Sequence, residues 1–114
     1  MSLSEGDLVD IDADAAVGHE QAGRRPALVV SVNALQSALG LAIVCAVTTH
    51  GGRAERARND LEVAIPAGLP VKGVILPHQV RTIDIKARNA MKLCAVPRVT
   101  LQATRARLKT LLGL

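Results

Sequence analysis

No phenylalanine, tyrosine or tryptophan occurs anywhere in this 114-residue chain. A core must then be assembled from Val, Leu, Ile and Ala, each of which buries less area than an aromatic ring. The same absence removes the ring faces on which unpaired nucleic-acid bases stack, so such a ligand would be held by charge and hydrogen bonds. Cysteine is scarce: Cys45 and Cys94 each lie in an apolar run without metal-ligand spacing, which predicts buried, reduced thiols rather than a disulfide. No apolar run approaches the length of a membrane-spanning helix. The acidic opening stretch lacks the basic-then-apolar start of a secretory signal, and the expectation is a cytoplasmic protein.

Charge is missing on one side at each end. Residues 1–20 carry six acids (Glu5, Asp7, Asp10, Asp12, Asp14, Glu20) and no Lys or Arg. From Lys86 onward there are seven bases (Lys86, Arg88, Lys92, Arg98, Arg105, Arg107, Lys109) and no acid. That asymmetry suggests an anionic partner, with a solvated basic helix face as the other reading.

What is present is 49 % apolar, enough for a small core, and the length predicts one domain over residues 1–114. Residues 9–14 alternate apolar and acidic within a strand-like run over 8–14, the period of a strand with one wet face, on which Asp10, Asp12 and Asp14 read as solvent-facing. Apolar runs at 27–32, opened by Pro26, and at 41–47 read as central strands. Between them a short helical turn over 34–39 is capped by Asn33 and ended by Gly40. Residues 48–60 form a polar loop, and 61–65 alternate as a strand. Pro66, Gly68 and Pro70 mark turns. Residues 73–85 hold one or two strands with a break near Pro77, and 90–96 another. A helix over 97–112 places Leu101, Thr104, Leu108, Leu111 and Leu112 on one face, with Pro97 in its first turn. Short strands, polar loops and one terminal helix predict a mainly β, compact, antiparallel barrel-like sheet.

One stretch stands apart, Gly18-His19-Glu20-Gln21-Ala22-Gly23-Arg24-Arg25-Pro26. Two glycines and a proline shape it, and strand-like runs flank it, so it reads as a loop holding polar groups at the rim of a rigid scaffold. Together with Gly6-Asp7-Leu8-Val9 and the run on to Val30, it resembles the MazF/PemK/Kid family of toxin endoribonucleases. Residues 79–84 (Gln-Val-Arg-Thr-Ile-Asp) and 86–88 (Lys-Ala-Arg) resemble further segments of that family. The resemblance implies an SH3-like barrel with a C-terminal helix, a homodimer, a co-expressed acidic antitoxin protein, and cleavage of single-stranded RNA without metal or other cofactor.

RNA cleavage of that kind requires a base for the 2′-hydroxyl proton, an acid for the leaving 5′-oxygen, and cations around the phosphate. Imidazole suits proton transfer near neutral pH, and the arginine fork suits phosphate oxygens. The resemblance implies catalytic roles for Arg25 and Thr48, and for His19. Where family members carry Asp or Glu as the base, this chain carries His78, whose neutral imidazole can take the same proton. An Arg found two residues earlier in one branch is Leu76 here. The candidate RNA contacts are Glu20, Gln21, Arg24, Thr49, His50, Arg53, Gln79 and Arg81, with Gln79 and Arg81 sharing one strand face. Glu20 is also a candidate ion-pair partner for Arg25, and Asp84 and Arg88 read as structural. Two other readings remain open: a gyrase poison of the CcdB type, whose C-terminal Trp this chain lacks, and a non-catalytic SH3-like binding module.

Overall fold

The computed structural model describes residues 3–13, 23–49, 57 and 59–114. Six strands, β1 (Asp7–Asp12), β2 (Arg24–Val29), β3 (Leu41–Thr48), β4 (Val63–Ala64), β5 (Val74–Asp84) and β6 (Met91–Ala95), form one sheet in the order β4-β5-β3-β2-β1-β6. Every pairing is antiparallel, and the sheet curls into a half-barrel. Helix α1 (Asn33–Leu39) links β2 to β3, and α2 (Arg98–Leu112) ends the chain. The mainly β, barrel-like fold with a C-terminal helix expected from the sequence is therefore present.

Strand alternation sorts the apolar residues into two clusters. Leu8, Leu28 and Cys45 stand side by side on one face, where Ile75, Val96 and Leu101 of α2 join them. Val9, Ala27, Val29, Val44 and Ile83 occupy the other face. Small and branched aliphatics fill both, without rings. Burial pushes the Cys45 thiol up to about 12, which makes it inert at neutral pH. Cys94 is also free but only half-buried.

Several boundaries differ from expectation. β2 starts at Arg24, three residues early, because β1 templates it through Asp12↔Arg24, Ile11↔Arg25 and Asp10↔Pro26. Its ladder to β3 begins only at Ala27. Pro26 thus sits where the strand has one neighbour, and its missing N–H breaks no central ladder. β5 does not break at Pro77. It runs through, and the pairing jumps from Cys45↔Val80 to Ala46↔Leu76, which leaves residues 77–79 bulged out of the ladder. β4 is only two residues long, since the Asn59 side chain accepts from the Leu61 N–H at 2.9 Å and holds the preceding segment in a turn.

Asn33 does not cap α1. Its Oδ1 instead accepts from the Glu5 N–H at 2.9 Å, and no side-chain cap is made. Gly40, at φ 69°, does end that helix, its N–H donating to Gln36 O. In α2, Pro97 is the cap rather than a first-turn residue. Leu101 and Thr104 are buried and Leu108 packs against the core, whereas Leu111 and Leu112 face outward, so the apolar stripe is one turn shorter than expected.

The charge asymmetry finds much of its partner inside the molecule. Lys92 Nζ lies 3.3 Å from buried Asp7, Arg105 lies 2.8 Å from Glu5, and Arg24 pairs with Asp10 and Asp12 at 2.8 Å each. Arg105 also donates to Val30 O and Arg107 to Asp60 O. Asp10 and Asp12 are therefore ion-paired rather than a merely solvated face. Asp14 lies outside the described residues.

Gly73 packs under the end of β3. A methyl group there would fall 2.5 Å from the Thr48 carbonyl oxygen, with Val47 and Thr49 also close, whereas at Gly23 it would meet nothing within 4 Å. Gly73→Ala is expected to cost about 1–3 kcal/mol of stability. Gly23→Ala is expected to stay within about 0.5 kcal/mol of wild type. Urea denaturation of the two variants checks the contrast.

Candidate active site

The register of the central strands sets this site. Ala27 pairs with Ala46, so carrying that pairing two residues further along each strand brings Arg25 opposite Thr48. Alternation puts Ile11, Arg25 and Ala27 on one face of β1 and β2, with Val44, Ala46 and Thr48 on the same face of β3. β5 adds Leu76 and Arg81 to that face, since Leu76 pairs with Ala46 and Arg81 with Val44. These side chains surround a cavity of about 430 Å³. Its floor is apolar (Ile11, Ala27, Val44, Ala46, Leu76), and Arg25, Thr48, Thr49, Gln79 and Arg81 supply polar groups, while Asp12 and Arg24, which belong to the opposite face of β1 and β2, only border it. That size and mixture are typical of small-ligand sites.

The two adjacent arginines differ sharply. Arg24 is engaged by Asp10, Asp12 and two backbone carbonyls. Arg25 is exposed, and among the described residues nothing hydrogen-bonds or pairs with its guanidinium. It is therefore ready to receive an anion. Thr48 is half-buried beside it, its backbone held from beneath by Gly73. The bulge at residues 77–79 brings Gln79 to the cavity, so Gln79 and Arg81 both line it.

Other candidates fall elsewhere. His78 lies in the bulge between Pro77 and Gln79, is exposed, and is not among the residues lining the cavity. His19, Glu20, Gln21, His50 and Arg53 lie outside the described residues, as does the Glu20 side of the expected pair with Arg25. Asp84 accepts from the Ala87 N–H, a turn-forming bond of the structural kind expected of it. Among the described residues no group of three or more His, Cys, Asp or Glu side chains is arranged to hold a metal ion.

Sequence reasoning missed Gly73, Asp12, Asn89 and the small floor residues. The floor was legible only as strand core. Gly73 carried no signal beyond being a glycine before an apolar run, because its close approach to Thr48 arises from tertiary packing.

A half-barrel whose cavity is lined by Thr48 and by an arginine that is unpaired among the described residues is suited to receive an anion. Residues 4–112 match the model of the family described as PemK-like, MazF-like toxin of type II toxin-antitoxin system, and the chain belongs to that family. It is 34 % identical to the Escherichia coli endoribonuclease PemK over 110 residues, covering 96 % of this chain and 82 % of that protein. It is 40 % identical to the E. coli K12 endoribonuclease toxin ChpB over 92 residues, covering 80 % and 78 %. The MazE–MazF crystal structure from Deinococcus radiodurans superposes with a TM-score of 0.88 at 37 % identity, over 100 % of this chain and 98 % of that one.

The hydrogen bond from Asn89, the largest influence, together with the hydrogen bond and charge of Arg24 holds the Asp12 carboxyl below the ordinary carboxylate range, against the opposing pull of desolvation. A depressed folded-state value stabilises the protein above about pH 4 and is lost as pH falls through it. Thermal unfolding should therefore show Asp12→Asn less stable than wild type at pH 7, with the difference shrinking below pH 4. A gap that stays constant with pH would mean the Asp12 carboxylate contributes nothing through its charge.

Proposed function

We propose that this protein is an endoribonuclease toxin of a toxin–antitoxin pair, in which one domain cuts single-stranded RNA at a short sequence and so arrests translation. The observation that carries the reading is that Arg25, unpaired among the described residues, and Thr48 line one cavity. Its family, and relatives that are themselves endoribonucleases, support the same reaction.

In this reading the 2′-hydroxyl attacks the adjacent phosphorus while its proton passes to a base. The bond to the 5′-oxygen then breaks, and that oxygen is protonated as it leaves. The products are a 2′,3′-cyclic phosphate and a 5′-hydroxyl, with no atom supplied by water. Arg25 binds the non-bridging oxygens as charge builds on them, and Thr48 donates a hydrogen bond to the same group. A guanidinium is a hydrogen-bond donor without a free lone pair for a proton, so the base must be another group. Of the three histidines, His78 does not line the cavity and His50 is kept among the RNA contacts, so the reading has His19 take the 2′-hydroxyl proton and return it to the leaving 5′-oxygen. Gln79 and Arg81 contact the RNA next to the phosphate, while Glu20, Gln21, Thr49, His50 and Arg53 stay with the loops proposed to flank it. The donor set needs no metal.

A cytoplasmic location, a homodimer, and a cognate antitoxin with an acidic segment are part of the proposal. A solved mycobacterial endoribonuclease of the same fold is held by its cognate antitoxin, and an acidic chain suits a groove lined by Arg25 and Arg81. No helix among the described residues is long and apolar enough to cross a membrane.

Removing one preorganised donor costs roughly 10²–10³ in rate. Arg25→Ala should lose that much kcat on a single-stranded RNA panel, with Arg25→Lys failing to restore it. EDTA should change nothing. No cleavage by wild type, or full activity of Arg25→Ala, defeats the reading. In a pH–rate profile, His19→Ala should remove the limb in the imidazole range and His78→Ala should leave it. The reverse result would hand the proton to His78.

A further inference from the structure

The start of β2 is an overhang. Residues 24–26 pair with β1, but the ladder to β3 does not begin until Ala27. What fixes the overhang is the Arg24 side chain. Its Nε donates to Asp10 Oδ2 at 2.8 Å and its NH1 to Asp12 Oδ1 at 2.8 Å. Its NH2 donates to the carbonyls of Asp10 at 2.7 Å and Asn89 at 2.6 Å. Asn89 lies in the turn between β5 and β6, at φ 51°, and its amide donates to Asp12 Oδ2 at 2.6 Å. One guanidinium thus ties β1, β2 and a turn 65 residues away in sequence. A fork with five N–H groups makes four bonds here, and both carboxylates beside it neutralise its charge.

Loop position alone marks Arg24 as an RNA contact. The geometry points to a different role: we infer that Arg24 is a positioning residue, which locks the β2 overhang so that Arg25 stands in the cavity, and that its own guanidinium does not hold RNA. The side chains of adjacent strand residues point to opposite faces, so clamping Arg24 on one face sets the direction of Arg25 on the other. This inference rests on the nuclease reading for its kinetic arm, but not for its binding arms.

In the kinetic arm, Arg24→Ala is expected to lower kcat at least tenfold with KM changed less than twofold. Asp12→Asn should lower kcat in the same direction, and the double variant should add little to either single change. In the first binding arm, the affinity of Arg24→Ala for an uncleavable 2′-O-methyl RNA is followed by fluorescence anisotropy against salt. The slope should equal that of wild type. A phosphate contact made by Arg24 would instead make it shallower by about 0.7. In the second, the arginine Nε–H resonances of the 15N-labelled protein are recorded with the same RNA, and the Arg25 signal should move while that of Arg24 stays.

A raised KM, a shallower salt slope, or a moving Arg24 resonance would make Arg24 an RNA ligand and overturn the inference. A lowered melting temperature with kcat unchanged would make the network merely structural, and also overturn it. A wild type that binds but never cuts would remove the nuclease reading instead. In that event the salt slope and the resonances still decide where Arg24 points.

Discussion

A strand turns successive side chains to opposite faces, and in this protein that alternation falls between two consecutive arginines. Arg24 is drawn to the carboxylates of β1, while Arg25 is left with the Thr48 side of the sheet. The separation depends on the β1–β2 register, Asp12↔Arg24 and Ile11↔Arg25. A one-residue slip would exchange the two, sending Arg24 to the Thr48 side of the sheet and Arg25 to the acids. The β2–β3 and β3–β5 registers then bring Thr48, Leu76 and Arg81 to the Arg25 side.

The distribution of charge along the chain is a record of folding contacts as much as of any partner. The acidic N-terminal stretch meets bases from β2, β6 and α2: Glu5 with Arg105, Asp7 with Lys92, and Asp10 and Asp12 with Arg24. These pairs use three of the fourteen bases and four of the ten acids, so the chain's net positive charge resides on groups outside them. Isolated surface pairs contribute little each. Their larger effect is to orient, because Asp7 is buried and takes both Lys92 and the Ser4 N–H.

Most of the fold was legible because period-two patterning survives without aromatics. Leu8, Val9 and Ile11 marked β1, the apolar run after Leu41 marked β3, and Gly40 marked the end of α1. Misjudged boundaries lay where a neighbour overruled local chemistry. Pro26 looked like a strand opener, yet β1 recruits the two arginines before it. Pro77 looked like a break, yet a bulge absorbs it inside an 11-residue strand. Asn33 had the side chain of a cap and spends it on Glu5. In the candidate site, the resemblance to the toxin family singled out Arg25 and Thr48 in advance, on an Arg-Pro after the first long loop and a Thr at a strand end. The division of labour between Arg24 and Arg25 was not legible, since it depends on Asn89 arriving from the far end of the chain. Gly73 stayed invisible for the same reason.

Helix α1 buries none of its residues and touches the body of the protein mainly through β3. Its two ends are fastened, by Asn33 to Glu5 and by the left-handed Gly40, but the turns between them carry no share of the core. The crossover from β2 to β3 is consequently a natural graft point. An epitope or a dye attached near Ser37 would ride on the outside of the half-barrel, away from the core, in a chain that otherwise offers no chromophore to follow.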